Sequence, residues 1–301
     1  MLKRFQRSRI EVGGVTINLR HGGDGPPLLL LHGFPQTHLI WRGVADRLAC
    51  EFTLVMPDLR GYGDSSKPPG DADHANYSKR AMALDMVELM RALGMPRFHL
   101  CGHDRGGRVA HRLALDHPEA VERLMLIDIS PTSSMYAATD QRFATLYYHW
   151  FMLIQPAPLP ETLIGNSARF YLEQTLGGWG SAGAPWMDDE VRDEYARCFC
   201  APEAIHAACE DYRAAAGIDL EHDAQDDWKR VAAPTRVVWG SDGVVGRLFD
   251  PLADWQRKCA LPVTGCVLPA GHFIPEQVPD LLVAEMLAHF RPAPVDDRGI
   301  T

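Results

Sequence analysis

The sequence has no long apolar run and no excess of positive charge. Its continuous apolar stretches, such as residues 28–31, are far shorter than the roughly 20 residues of a membrane-spanning helix. Residues 1–12 are charged with no apolar stretch behind them, so we expect no signal peptide. A net charge of −9 repels nucleic acids and anionic membrane surfaces. We therefore expect a cytoplasmic protein that binds neither nucleic acid nor a membrane.

The sequence also lacks the usual signatures of metal sites and cofactors. No Cys-x-x-Cys pair occurs, and Cys198 and Cys200 are too close in sequence to form an unstrained disulfide. The histidines show no metal-binding spacing, and no glycine-rich loop of the phosphate-binding type is present. We therefore expect reduced thiols, no metal, and no nucleotide or flavin cofactor.

Alternation of short apolar strands with helices is the main pattern of both ends of the chain. An opening hairpin turns at Gly13-Gly14, and the leucine run at residues 28–31 is typical of a strand buried on both faces. Helices are predicted over residues 38–50 and 275–290 among others, and the strand-helix alternation indicates a mostly parallel sheet with helices on both faces. Residues 132–229 differ, because they are aromatic-rich and helical with no strong strand pattern. We predict a core formed by residues 1–131 and 230–301, an inserted helical cap at 132–229, and a disordered tail after about residue 291.

A candidate nucleophile lies where a buried strand meets a helix, in the stretch Gly102-His-Asp-Arg-Gly106. In such an elbow, two glycines permit a tight turn that presents the central side chain, here Asp104, above the sheet. An aspartate is already ionised at neutral pH, with an ordinary pKa of about 3.9, and suits attack on saturated carbon. This attack leaves an alkyl ester, which water activated by a histidine then cleaves. Aspartate in place of serine argues against a serine esterase or peptidase.

The nucleophile requires a histidine and an acid further along the chain. His272 follows the last strand and precedes the last helix, which is where the water-activating histidine is expected. Asp128 and Asp242 each follow a predicted parallel strand, so either could orient His272, and Asp128 is favoured. For the oxyanion hole, the pattern predicts the backbone amide of Phe34 and that of Arg105 at the helix N-terminus.

With these residues in view, the chain resembles the haloacetate and fluoroacetate dehalogenases of the α/β-hydrolase superfamily. The resemblance extends over roughly residues 10–290. The elbow aspartate alone is shared with epoxide hydrolases and haloalkane dehalogenases, whereas arginine at 105 replaces the tryptophan usual in those relatives. The matching stretches are His32-Gly-Phe-Pro-Gln36, Gly102-His-Asp-Arg-Gly-Gly-Arg108, Tyr148-His-Trp150, Asp211-Tyr-Arg-Ala214 and Gly271-His-Phe273.

The resemblance implies that Arg105 and Arg108 hold a substrate carboxylate. The two arginines are three residues apart on one helix, so both guanidiniums can lie over the same face of the elbow. Placing two such groups beside a nucleophilic carboxylate is costly unless they bind an anion, which arginine does with bidentate geometry. They would also supply the local positive charge that an anionic substrate requires in a protein with a net charge of −9.

The resemblance further implies a halide pocket in the cap, formed by His149, Trp150 and Tyr212, with Trp179 as an additional candidate for its lining. Fluoride is a poor leaving group, and imidazole, indole and phenol groups can donate hydrogen bonds to it as it forms. The implied reaction converts fluoroacetate or chloroacetate to glycolate and halide through an Asp-His-Asp triad. The resemblance also suggests a homodimer.

Two other functions are compatible with parts of the pattern. An epoxide hydrolase uses the same nucleophile and histidine, with two cap phenols from among Tyr147, Tyr148 and Tyr212, but a charged Arg105 does not suit a neutral epoxide. A catalytically inactive binding module on the same fold is the other alternative. The complete triad argues against it, because a binding module has no use for a water-activating histidine.

Overall fold

The structure, a computed structural model, describes residues 1–291 and is built around an eight-stranded sheet. The strand order across the sheet is β1-β2-β4-β3-β5-β6-β7-β8. Strands β1, β2 and β4 pair antiparallel, and all other neighbours pair parallel. The strands are β1 (Gln6–Val12), β2 (Val15–Gly23), β3 (Pro27–Leu31), β4 (Thr53–Pro57), β5 (Phe98–His103), β6 (Val121–Ile127), β7 (Thr235–Gly240) and β8 (Thr264–Leu268).

The central strands are apolar because helices cover both faces of the sheet. Every residue of β5 is buried, as are the four leucines of β3. The predicted mostly parallel sheet between two helical layers is confirmed. The helices packed around the sheet are α1 (Arg42–Leu48), α2 (Lys79–Ala92), α3 (Arg105–Asp116), α12 (Val244–Leu248), α13 (Pro251–Gln256), α14 (Ile274–Gln277) and α15 (Pro279–Phe290).

The described segment between β6 and β7 contains helices and no strand, and it includes the residues for which a cap is predicted. Aromatic and aliphatic side chains of this segment, such as Phe143, Trp150 and Tyr195, are buried and form its apolar core. The segment contains α4 (Thr132–Ala137), α5 (Gln141–Leu146), α6 (Tyr148–Leu153), α7 (Leu159–Gly165), α8 (Ala168–Gly177), α9 (Asp189–Phe199), α10 (Pro202–Ala216) and α11 (Ile218–Gln225).

Two helix boundaries differ from the sequence prediction. The predicted final helix over residues 275–290 is divided into α14 and α15, because Pro279 lacks the amide hydrogen that would continue α14. The predicted helix over residues 38–50 begins with a 3₁₀ turn, His38–Trp41, before α1. The predicted disordered tail lies outside the described residues. Within residues 1–291, no helix is both long and apolar enough to cross a bilayer.

The parallel strands direct their carboxyl ends to one edge of the sheet. Asp104 follows β5, Asp128 follows β6, and His272 lies in the loop after β8. The loop after β3, which contains Phe34, meets them at the same edge. The topology therefore gathers residues from four separate stretches of sequence beneath the helical segment.

Candidate active site

The turn between β5 and α3 holds Asp104 in a strained backbone conformation, with a φ angle of +49°. Such a turn requires close approach of the neighbouring backbone. A Cβ atom added to Gly106 would lie 2.3 Å from the carbonyl oxygen of His32, and one on Gly33 would lie 2.4 Å from the Asp104 Cβ. The glycines of these two loops thus allow the Asp104 side chain to pack directly against the loop after β3.

Asp104, His272 and Asp128 form a connected chain of side chains. His272 Nδ1 donates to Asp128 Oδ2 at 2.6 Å, and Asp128 Oδ1 accepts from the Gly240 amide at 3.0 Å. The opposite nitrogen of the ring, Nε2, lies 3.8 Å from Asp104 Oδ2. The imidazole is therefore oriented by one carboxylate and directed towards the other.

The second candidate acid, Asp242, lies apart from the group formed by Asp104, His272 and Asp128. Its side chain is exposed, and its Oδ1 accepts from the neighbouring Ser241 hydroxyl at 3.4 Å. Asp128, by contrast, is fully buried against His272. The structure thus places Asp128, and not Asp242, beside the histidine.

The Asp104 carboxylate is kept ionised by its surroundings. Burial would raise its pKa, but the charges of His272, His103 and Arg105 outweigh burial and lower the pKa below the ordinary value. Asp104 Oδ1 accepts a hydrogen bond from the Phe34 amide at 2.8 Å. Within residues 1–291, the Arg105 amide, in the first turn of α3, has no hydrogen-bond partner. Of the two predicted oxyanion donors, Phe34 therefore already contacts the carboxylate.

Arg105 is fully buried and forms a two-pronged ion pair with Asp211 of α10. Its Nε donates to Asp211 Oδ2 at 3.0 Å, while Nη2 donates to Oδ1 at 2.7 Å and to the Asp211 carbonyl at 2.8 Å. The guanidinium also stacks on Tyr212, with Cζ 4.2 Å from the ring centroid. Only Nη1 of Arg105 has no hydrogen-bond partner within residues 1–291.

Arg108 is buried on the same helix and is held by a different set of groups. Its Nη1 donates to the Thr132 hydroxyl at 2.7 Å and to the Ser130 carbonyl at 3.2 Å, while Nη2 lies 3.3 Å from the Met135 sulfur. The guanidinium lies over Trp150, 4.7 Å from the ring centroid. Its Nε has no partner among the described residues. Each arginine thus retains one uncommitted nitrogen.

The aromatic residues predicted for the cap pack against Phe34 in the loop after β3, against one another and against His272. His149 stacks on Phe34 with ring centroids 6.0 Å apart, and Tyr212 meets Phe34 edge-on at 5.3 Å. Trp150 packs 6.5 Å from Tyr212, and Trp179 lies 4.4 Å from His149 and 5.3 Å from His272. Burial lowers the pKa of His149 to about 3, so its imidazole is neutral at physiological pH.

Several buried polar atoms at this site have no hydrogen-bond partner in residues 1–291. Such atoms are rare in proteins, because each loses its hydrogen bonds to water on burial. At this site they are carried by residues packed around Asp104 and Phe34, where they are available to a polar ligand. In the part of the chain that the structure describes, they include Arg105 Nη1, Arg108 Nε, His149 Nδ1 and the Tyr212 hydroxyl.

The sequence motifs assign no role to several residues of this neighbourhood. Asp211 occurs only within a matching stretch, and no motif contains its partners Lys79 and Tyr62. Tyr147, considered only for an epoxide hydrolase, is buried, and burial together with the charges of Asp128 and Asp104 raises its pKa. The position of Asp211, one residue before a pocket tyrosine on a helix, is the one signal that pointed to it.

Comparison with known proteins agrees with this architecture. The family model described as the alpha/beta hydrolase fold matches residues 26–277. The chain belongs to the α/β-hydrolase fold family. The crystal structure of a protein from Nostoc sp. PCC 7120, named as an alpha/beta hydrolase, superposes on this α/β hydrolase with a TM-score of 0.95. That protein is 50% identical, and the match covers 97% of this chain and 100% of the other.

Two curated relatives extend over most of the α/β hydrolase. Fluoroacetate dehalogenase from Burkholderia sp. is 50% identical over 93% of this chain and 92% of its own length. Soluble epoxide hydrolase from Corynebacterium sp. (strain C12) is 33% identical over 93% of this chain and 96% of its own length. The resemblance to fluoroacetate dehalogenases that the motifs indicated is confirmed.

Proposed function

We propose that this α/β hydrolase removes halide from small 2-haloacids, converting fluoroacetate or chloroacetate to glycolate. The observation that carries the proposal is the cluster of unpartnered donors around an ionised, histidine-linked aspartate. A haloacetate has a carboxylate for the arginine nitrogens and a halogen for the cap donors. The 50% identity to a fluoroacetate dehalogenase supports the same substrate class.

The first step is displacement of halide by Asp104. Arg105 Nη1 and Arg108 Nε bind the substrate carboxylate, and Asp104 Oδ2 attacks the halogen-bearing carbon. A carbon–oxygen bond forms while the carbon–halogen bond breaks, and the halide leaves with the bonding electron pair. His149, Trp150 and Tyr212 donate hydrogen bonds to the departing halide, since a fixed donor set stabilises charge as it develops. Trp179 closes the pocket beside His149.

The second step is hydrolysis of the glycolyl ester on Asp104. His272, oriented by Asp128, takes a proton from water, and the hydroxide attacks the Asp104 carboxyl carbon. The Phe34 and Arg105 amides stabilise the oxyanion that forms on Oδ1. Collapse releases glycolate, regenerates the Asp104 carboxylate and returns one proton to solvent. The two proposed reaction steps require no metal or organic cofactor.

Epoxide hydrolysis is the second candidate. It is favoured by the 33% identity to a soluble epoxide hydrolase and by two buried phenols, Tyr147 and Tyr212. Tyr148, the third phenol considered, is 47% exposed and does not suit this role. The uncommitted nitrogens of Arg105 and Arg108 favour an anionic substrate over a neutral epoxide, which places this function second.

Halide release tests the proposal directly. We would incubate the purified enzyme with fluoroacetate, chloroacetate and a terminal epoxide, following halide by ion-selective electrode and organic products by chromatography. The His272→Asn variant would be examined in parallel by intact-protein mass spectrometry. We expect one glycolate for each halide, and a variant that stops after one turnover with a glycolyl group on Asp104.

The alternatives predict different results. Diol formation from the epoxide without halide from either acid would replace this function with epoxide hydrolysis. No product from any of the three substrates would favour a non-catalytic binding module. Chloride release without fluoride release would restrict the substrate class to the better leaving group.

The proposal also includes the two expectations about the cellular form, a cytoplasmic location and a homodimer. Three apolar side chains of α7 and α8 are 52–64% exposed, which suits a subunit contact. Light scattering after size exclusion would measure the mass, and Phe170→Ser should favour the monomer if this face forms the contact. These side chains are Leu159, Leu163 and Phe170.

A further inference from the structure

Asp211 is an extensively bonded acid beside Arg105, and the proposed reaction gives it no role. It is fully buried and accepts from Arg105, from the Tyr62 hydroxyl at 2.5 Å and from the Lys79 ammonium group. Burial alone would raise the pKa of Asp211, but the charges of Arg105 and Lys79 outweigh burial and hold it well below its ordinary value. Asp211 is therefore an anion at physiological pH.

The partners of Asp211 come from three separate places in the fold. Tyr62 lies in the loop after β4, Lys79 begins α2, and Arg105 begins α3. Asp211 itself lies on α10, in the helical segment between β6 and β7. Lys79 is fixed in turn by Asp219, which accepts from its backbone amide at 2.7 Å. The acid is thus held from several directions, and its carboxylate has little freedom to move.

We propose that Asp211 is the positioning residue of the carboxylate site, holding the Arg105 guanidinium so that Nη1 alone remains to bind substrate. The Asp211 carboxylate and carbonyl occupy Nε and Nη2 of Arg105, and stacking on Tyr212 fixes the plane of the group. Because hydrogen bonds weaken steeply with misalignment, a guanidinium free to turn would lose this interaction with a small carboxylate. The inference rests on the proposed carboxylate-binding role of Arg105.

An acid beside an arginine could also act through charge alone, and the two roles call for different variants. Asp211→Glu keeps the charge but moves the carboxylate by about 1.5 Å, the length of one carbon–carbon bond. Tyr62→Phe removes one hydrogen bond to Asp211 without changing any charge or the packing of the ring. Both variants alter the position of the Arg105 guanidinium while leaving the net charge intact. If Asp211 acted through its charge alone, the acetate affinity of both variants would equal that of the wild type.

The test is acetate binding to the intact protein, measured by isothermal titration calorimetry. We expect Asp211→Glu to weaken acetate binding about tenfold and Tyr62→Phe about threefold, since a charge-assisted hydrogen bond contributes on this scale. With chloroacetate, the kcat of Asp211→Glu should fall as well as its KM rise, because the carboxylate also aligns the reacting carbon. Tyr62→Phe preserves the test if Asp211→Glu does not fold.

Asp226→Asn is the matched control, because Asp226 also pairs across the same interface but with Arg80 and Arg112, away from the site. Its acetate affinity should equal that of the wild type. Equal weakening in this control, or unchanged acetate binding in both position variants, would overturn the inference. Acetate binding does not depend on turnover, so a wild type that binds acetate but releases no halide would contradict the proposed reaction while leaving the role of Asp211 intact.

Discussion

The half of the site carried by the sheet differs from the half carried by the inserted helices in how its polar groups are satisfied. On the sheet side, Asp104, Asp128 and His272 are bonded to one another or to the backbone. On the helical side, His149 and Tyr212 each keep a buried polar atom without a partner. The arginines of α3 lie between the halves, each with one nitrogen uncommitted.

This difference suggests a division of labour between the two halves. We infer that the sheet side, whose triad residues are already bonded to one another or to the backbone, supplies the chemistry common to all substrates. We infer likewise that the helical side, with unpartnered atoms on His149 and Tyr212, determines which ligands fit. Substitutions on the sheet side should therefore affect all haloacids alike, whereas substitutions on the helical side should depend on the halogen.

The largest expected effect on stability comes from the close packing of the sheet side. Gly106→Ala would place a Cβ atom 2.3 Å from the His32 carbonyl oxygen, which should cost about 3 kcal/mol in free energy of unfolding. Gly165→Ala at the end of α7 meets no atom within 4 Å and should be neutral or stabilising by up to about 1 kcal/mol. Urea unfolding measures both, and equal stability of the two variants would contradict the contrast.

Asp128→Asn should slow hydrolysis of the ester about a thousandfold, because the histidine loses the carboxylate that orients it. Fluoroacetate and chloroacetate form the same ester, so their steady-state rates should converge in this variant. Halide release under saturating substrate measures this. Asp242→Asn serves as the control and should retain wild-type rates. If Asp242→Asn lost most of its halide-release rate and Asp128→Asn lost little, Asp242 would be the acid of the triad.

Tyr212→Phe should reduce fluoroacetate turnover about tenfold more than chloroacetate turnover, because fluoride depends more strongly on a hydrogen-bond donor as it leaves. Parallel kcat measurements with the two substrates give the ratio. Tyr148→Phe, at the exposed tyrosine of the same segment, should leave the ratio unchanged. Equal losses with both substrates would show that Tyr212 does not act on the halide.

The smallest expected effect concerns buried histidines outside the reaction. Burial lowers the pKa of His111 from 6.5 to about 3, so folding keeps its ring neutral. Its contribution to stability is complete above pH 6.5 and is lost as the pH falls towards 3, because only the unfolded chain takes up the proton readily.

His111→Leu should therefore reduce the loss of unfolding free energy between pH 7.5 and 5.5 by about 1 kcal/mol. Urea unfolding of wild type and variant at the two pH values measures the difference. Replacement of His117, which is only partly buried, provides the comparison. An unchanged pH dependence in His111→Leu would show that this ring does not limit stability in acid.

Much of the architecture followed from local patterns. The four leucines of β3 indicated a strand buried on both faces, and the glycines around Asp104 indicated a tight turn between strand and helix. These patterns are local because strand burial and turn geometry depend on neighbouring residues. The division of the last helix at Pro279 was missed, although proline is a local signal for it.

The sequence by itself determined the tight turn at Asp104 and the presence of two arginines beside it. It also determined that Asp104, Asp128 and His272 each follow a predicted strand, in that order along the chain. Only the tertiary structure decided that Asp128 rather than Asp242 lies against His272, and that Asp211 accepts hydrogen bonds from Nε and Nη2 of Arg105. The residues of these contacts are more than 100 positions apart in the chain. Such pairings depend on how strands and helices pack, and neither periodicity nor turn chemistry specifies that packing.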